Sequence, residues 1–339
     1  MAKERYALID WLKAFCVVLV IITHSDFLND AMLDKSGLFY LLCVNKAVPC
    51  FMFLSGYVFS MGAKAMALNE QYSLKRIFPG LMRLTVPTLI YYAIYVAVLH
   101  LSGNPMSLSE ILFKFFAGDF GKGSYYFSIM VQFTLVAPLM HVIIKKYAHW
   151  GLVIIGAMNF AFEGSWTLFS LHEGLYRILV FRYLLIIAFG MFLSQRKGKM
   201  LRPVYIGAMA LVGLTYILLP YFTSYEYKIF TIDPWNRSGM MSAFYVAAVL
   251  YVLFHFFSKA RAKGFVGKAI AKVGQASYHI MYTQMLYFIV RPAIDTRILK
   301  ITTLPLWSQY AMDIVVSVLL GLVFCVADAK SFRNFYKTK

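Results

Sequence analysis

Long apolar runs follow one another along almost the whole chain, each bounded by a short segment where charged and turn-forming residues gather. Taking as helices the runs long enough to cross about 30 Å of hydrocarbon, the pattern predicts ten spans. They lie at 8–28, 38–62, 84–102, 124–144, 150–170, 175–195, 203–222, 239–258, 274–294 and 304–326. The fifth is interrupted by Asn159, Glu163, Gly164 and Ser165, and the sixth contains Arg177 and Arg182. No repeat of the soluble type and no low-complexity tract appears. The expected fold class is all-α, a polytopic membrane protein of about ten transmembrane helices, with residues 1–339 forming a single transmembrane domain and no separate soluble one.

Composition agrees with this pattern. A chain of 339 residues that is 61% hydrophobic and 17% aromatic, with a mean hydropathy of +0.68, cannot bury its apolar surface in a water-soluble core. The first run is too long and too polar within to read as a removable signal peptide, so it is expected to stay as the first helix. Cys16, Cys43, Cys50 and Cys325 lie in or beside apolar runs without metal-ligand spacing, which predicts inert thiols and no bound metal.

Charge adds a direction. If the N-terminus, the even-numbered connections and the C-terminus share one side, that side holds 21 of the 33 basic residues, among them Lys75, Arg76, Arg83, Lys145, Lys146, Lys263, Lys268 and Lys272. The positive-inside rule then places both termini in the cytoplasm of a multi-pass protein of the cell membrane. The net charge of +18 reads as topology and contact with anionic lipid, and no nucleic acid is needed to explain it.

Ionisable residues inside a span mark function more often than packing. The first span carries Asp10, Lys13 and His24. Eleven residues of helix advance about 16.5 Å and turn about 20° beyond three revolutions, so Lys13 and His24 share a face at opposite depths. Asp10, three residues before Lys13, is placed to pair with it. In the bland alternative Lys13 snorkels to the head groups and His24 caps the helix at the interface.

The second span continues with Asn45-Lys46-Ala47-Val48-Pro49-Cys50-Phe51-Met52-Phe53-Leu54-Ser55-Gly56-Tyr57. Together with Asp10, Lys13 and, after ten intervening residues, His24, this order resembles the membrane acyltransferase 3 family. That family typically has an aspartate before an arginine, a histidine after ten more residues, and a valine-proline, aromatics and serine-glycine in the next helix. Arg83 before Pro87 resembles the family's basic entry to the third helix, with Gly80 where a second arginine is usual and Lys75 and Arg76 upstream. Tyr125-Tyr126-Phe127 with Gln132, and Arg182 with Gly190, are weaker resemblances. Gly274-Gln275-Ala276-Ser277-Tyr278, then Tyr282 and Gln284, is similar to a serine-tyrosine, tyrosine, histidine series. The chain departs from the pattern at Lys13, Gly80 and Gln284.

The resemblance implies an integral membrane enzyme that moves an acyl group, commonly acetyl, from cytoplasmic acyl-CoA to a hydroxyl of a cell-envelope carbohydrate or lipid-linked glycan. Acyl-CoA is a donor substrate here rather than a tightly bound cofactor. His24 would act as general base or acyl carrier, with Asp10 as the second catalytic residue. Lys13, Arg83 and Arg76 would hold the donor's phosphates, although lysine lacks arginine's planar two-pronged contact. Ser55, Tyr57, Tyr126, Gln132, Arg182 and Gln284 are candidates for the acceptor or the developing oxyanion. Two alternatives remain open: a transporter or flippase lined by Asp10, Lys13, Arg177, Arg182 and Asp313, and an accessory subunit of glycan export. No phosphate-binding glycine loop, HExxH helix or nucleophile elbow is present. His100, His141, His149 and His255 fall near span ends and are expected at the head groups, whereas His279 lies well inside a span.

Overall fold

The computed structural model describes residues 7–28, 37–121, 123–169, 171–196, 201–223, 225, 227, 239–257, 260–294 and 305–332. All regular structure there is helical: α1 (Ala7–Leu28), α2 (Leu38–Leu42), a 3₁₀ turn (Val44–Lys46), α3 (Ala47–Ala63), α4 (Leu68–Gln71), α5 (Leu74–Leu101), α6 (Leu108–Ala117), α7 (Tyr125–Tyr147), α8 (His149–Leu168) and α9 (Glu173–Ile178). A second 3₁₀ turn (Val180–Tyr183) leads into α10 (Leu184–Gln195), followed by α11 (Pro203–Phe222), α12 (Met240–Phe257), α13 (Gly264–Gln275), α14 (Ser277–Ala293) and α15 (Leu306–Ser331).

Seven helical stretches among the described residues are long and apolar enough to cross a membrane. The other three expected spans are present as helices that miss that mark. Asn159 and Glu163 dilute α8, the apolar stretch Val180–Gln195 is short, and α14 has 17 residues. Boundaries also differ from the sequence reading. The third helix begins ten residues earlier, at Leu74, and contains Arg76, Pro79, Arg83 and Pro87. The second run breaks after Leu42, where Cys43 and a 3₁₀ turn precede α3. The sixth is interrupted at Leu179, whose backbone is extended at φ −91°, ψ 134°.

The helices form two compact units. The first contains residues 1–9, 36–77 and 132–261. Here α3 packs on α10 with almost no side chain between them, and glycine is the reason. Gly56 lies against the carbonyl of Ile187, Gly190 lies against the carbonyl of Phe53, and a methyl group on either would enter the opposing main chain. Gly190→Ala is therefore expected to cost about 1–3 kcal/mol through overpacking, read as a lower melting midpoint of the detergent-solubilised protein. Gly207→Ala, at a helical position with open space around it, is expected not to lower the midpoint and to raise it slightly, since alanine favours a helix more than glycine does.

The second unit contains residues 10–35, 78–131 and 262–339. In it α1 and α14 run side by side in the same direction, because Asp10 meets Gln275 at one end and His24 meets Phe288 at the other. The last helix, α15, returns antiparallel to α14: Asp313 meets Tyr287 and Asp328 meets His279. Gly321 lets the two backbones approach at Ile280.

Candidate active site

The three ionisable residues of α1 sit on one unbroken helix. At its first turns Asp10 is 4% exposed, and Gln275 Nε2 donates to its Oδ2 at 2.8 Å. Gly274 lies directly against the Asp10 carbonyl, and the Trp11 indole donates to the Gly267 carbonyl at 3.1 Å. Lys13 is half-buried one turn on. Burial of a carboxylate is tolerable because hydrogen bonds replace its water.

His24 is half-buried near the far end of α1, its ring edge-on to Phe288 with centroids 6.4 Å apart. Gly123 adjoins it: with φ at +90°, this residue favours glycine, and a Cβ there would stand 3.6 Å from His24 Cε1. The turn at Gly123 thus presents bare backbone beside the imidazole.

A buried polar network fixes the neighbouring residue. Ser25 donates to Asp313 Oδ2, Arg291 Nη1 donates to the same oxygen at 2.6 Å, and Tyr287 Oη donates to Oδ1 at 3.0 Å. Arg291 Nη2 reaches Gln309 Oε1 at 3.1 Å, and Asp313 is 0% exposed. The network ties α1, α14 and α15 together next to His24. Arg291 falls near the end of the ninth expected span, 274–294, and counts in the sequence among the basic residues of the outer side. Its match to Asp313 depends on how two helices pack, which spacing alone does not disclose.

On another face of α14, Thr88 Oγ1 stands 3.0 Å from Tyr278 Oη and 2.8 Å from Tyr282 Oη, and the two phenols are 3.2 Å apart. Tyr91, Tyr92, Phe120 and Met285 pack around this group. Tyr126, half-buried, faces Tyr278 at 6.5 Å between ring centroids. Gln284 is 0% exposed, and neither end of its amide meets a hydrogen-bond partner among the described residues. It lies one helical turn before Phe288, on the same face of α14. Arg83 is exposed on α5.

The remaining candidates belong to the first unit, and each is engaged there. Arg76 contacts Met66 Sδ and lies 5.7 Å over the Phe59 ring. Ser55 Oγ donates back to the Phe51 carbonyl at 2.9 Å. Tyr57 packs on Phe254 at 4.5 Å between centroids. Gln132 spans the break in the sixth run: its Nε2 donates to the Ile178 carbonyl at 2.7 Å, and its Oε1 accepts from Val180 N–H at 3.1 Å. Those are backbone groups that the interruption at Leu179 would otherwise leave unmet in hydrocarbon.

Two residues of α8 do similar work. Asn159 Oδ1 accepts from Leu185 N–H at 3.1 Å near the start of α10. Both oxygens of Glu163 accept from Met240 N–H, at 2.7 and 3.0 Å, at the first residue of α12, where a negative group also suits the helix dipole. Tyr176 Oη donates to Glu163 at 3.2 Å, and Arg182 lies 4.5 Å over the Tyr176 ring and 4.8 Å over that of Tyr183. Asn159 thus serves the broken sixth run, while Glu163 joins Tyr176 of that run to the start of α12.

The scattered histidines divide. His100 and His255 are exposed, and exposed His149 pairs with Arg196 at 3.1 Å. His279 Nε2 meets Asp328 Oδ2 at 3.1 Å between α14 and α15. His141 departs from the head-group expectation: it is fully buried, with Nδ1 3.1 Å from Ser60 Oγ.

A family model described as an acyltransferase domain, acyltransferase 3, matches residues 6–327. Comparison with curated proteins and with solved structures gives no match.

Proposed function

The chain belongs to the acyltransferase 3 family, and on that premise we propose that it moves an acetyl group from cytoplasmic acetyl-CoA to a hydroxyl of a cell-envelope carbohydrate or lipid-linked glycan. Both termini then lie in the cytoplasm, the Asp10 end of α1 faces inward, and the two units serve one acyltransferase domain. The observation that carries this reading is α1 itself. One unbroken helix presents a half-buried cation near one end and an imidazole eleven residues on, about 16.5 Å away, beside the backbone of Gly123. Coenzyme A has the matching polarity, a phosphate-bearing head and a thioester at the end of a long arm.

In this scheme Lys13, with Arg83, attracts the phosphates, whereas Arg76 belongs to the first unit, where it contacts Met66 and the Phe59 ring. Asp10, held by Gln275, is fourteen residues from His24 and acts as a positioning residue for the inner end of the helix. His24 takes the proton of the acceptor hydroxyl as its oxygen attacks the thioester carbonyl. The carbon–sulfur bond then breaks, and the leaving thiolate recovers that proton from the imidazolium, giving an ester and free coenzyme A. Gln284, on the face of α14 that also carries Phe288, and Tyr126, beside Tyr278, serve substrate orientation in this scheme, whereas Ser55, Tyr57, Gln132 and Arg182 are engaged in the packing of the first unit.

One observation favours a transporter on the same scaffold: the sixth run breaks among buried Arg182 and Glu163, and interrupted helices often line transport sites. Purified protein incubated with radiolabelled acetyl-CoA and envelope glycans separates the two. Acyl transfer predicts label on the glycan with one free thiol released per acetyl moved. Translocation of either substrate across a vesicle wall without thiol release would contradict it.

A further inference from the structure

The short helix α13 has three distinct faces. Gly267, Ala271 and Gly274 lie towards α1, where Gly267 accepts from Trp11 and Gly274 touches the Asp10 carbonyl. Small residues there permit the close seat. A second face carries Phe265, Val266 and Ile270, which are 87%, 67% and 40% exposed. Between them a third face bears Lys268 and Lys272, both exposed, with exposed Lys263 just before the helix and no acidic residue within it. An apolar sector bordered by lysines, on a helix joined through Ala276 alone to α14 and resting on the first turns of α1, fits the interfacial zone of a bilayer and the negative charge of lipid head groups.

We propose that α13 docks on the membrane surface, its apolar face among the acyl chains and Lys268 and Lys272 on anionic phospholipid, and that this contact steadies Asp10 and the inner end of α1. The lipid contact stands on the geometry of α13 alone; only its consequence for donor handling rests on the acyl-transfer reading. The lipid is held by charge and by the apolar sector together, so each can be removed separately.

The test titrates the detergent-solubilised full chain with phosphatidylglycerol or phosphatidylcholine and follows the melting midpoint. For wild type, phosphatidylglycerol is expected to stabilise and phosphatidylcholine to do so far less. A lysine near an anionic surface contributes about fivefold in affinity, so Lys268→Gln with Lys272→Gln should raise the half-maximal phosphatidylglycerol concentration roughly 25-fold. Lys114→Gln, whose ammonium already faces Asp119 at 3.9 Å, should barely change it. An unaltered response in the α13 variant, or an equal loss in the Lys114 control, would overturn the proposal. Phe265→Ser with Ile270→Ser should also weaken the lipid response. If those changes instead alter only the oligomeric state, the face is a contact between copies and the lipid assignment fails.

Discussion

His24→Ala should bind acetyl-CoA as tightly as wild type and transfer its acetyl group about 10²–10⁴-fold more slowly, the range that general acid–base catalysis supplies. The two effects separate because α1 spreads the task along its length: the donor's charge is met near Lys13, and the imidazole is about three turns away. Alanine removes the proton acceptor without disturbing Ser25, whose hydroxyl pins this part of α1 to Asp313. Calorimetric titration with the donor and rates of thiol release check the two halves. A variant that loses donor binding, or one that keeps full turnover, would remove His24 from the reaction.

Asp313→Ala is expected to destabilise the second unit by about 3–5 kcal/mol, because it strands the Arg291 guanidinium in a dry interior. Arg291 is 4% exposed at its side chain, and Asp313 is also the acceptor for Tyr287 and Ser25. The double change Asp313→Leu with Arg291→Met removes both charges and should recover much of the melting midpoint, since a buried ion pair is costly mainly when it is half removed. Recovery of stability need not restore turnover, because Ser25 would still lack its anchor beside His24. Melting curves and rates measured on the same preparations distinguish the two contributions.

Much of this was legible from the chain. Apolar run length located the helices, since the hydrocarbon thickness allows little freedom, and the polar residues of the first run singled out α1. The pattern beginning at Asp10 and ending at Tyr57 sufficed for the family resemblance that the match over residues 6–327 bears out. The interruption at Leu179 was not visible. Run length counts apolar residues and cannot sense that Gln132 and Asn159, from other helices, take over the backbone hydrogen bonds that a straight helix would have made. For the same reason the acids and amides of the fifth run looked like defects when read alone. Gly56 and Gly190 were visible as residues, but their reciprocal contact needed the packed helices. The union of Arg291 with Asp313, and the burial of His141 against Ser60, depend on contacts between helices distant in sequence.

The most direct test of the account is to map where the donor's acyl end rests. Coenzyme A bearing a photoreactive acyl group, cross-linked to the purified protein and located by peptide mass spectrometry, is expected to label α1 around His24, the turn at Gly123 or α14 near Phe288, and excess acetyl-CoA should compete the label away. Competed label confined to α3, α8 and α10 of the first unit would contradict the assignment of the reacting centre to α1.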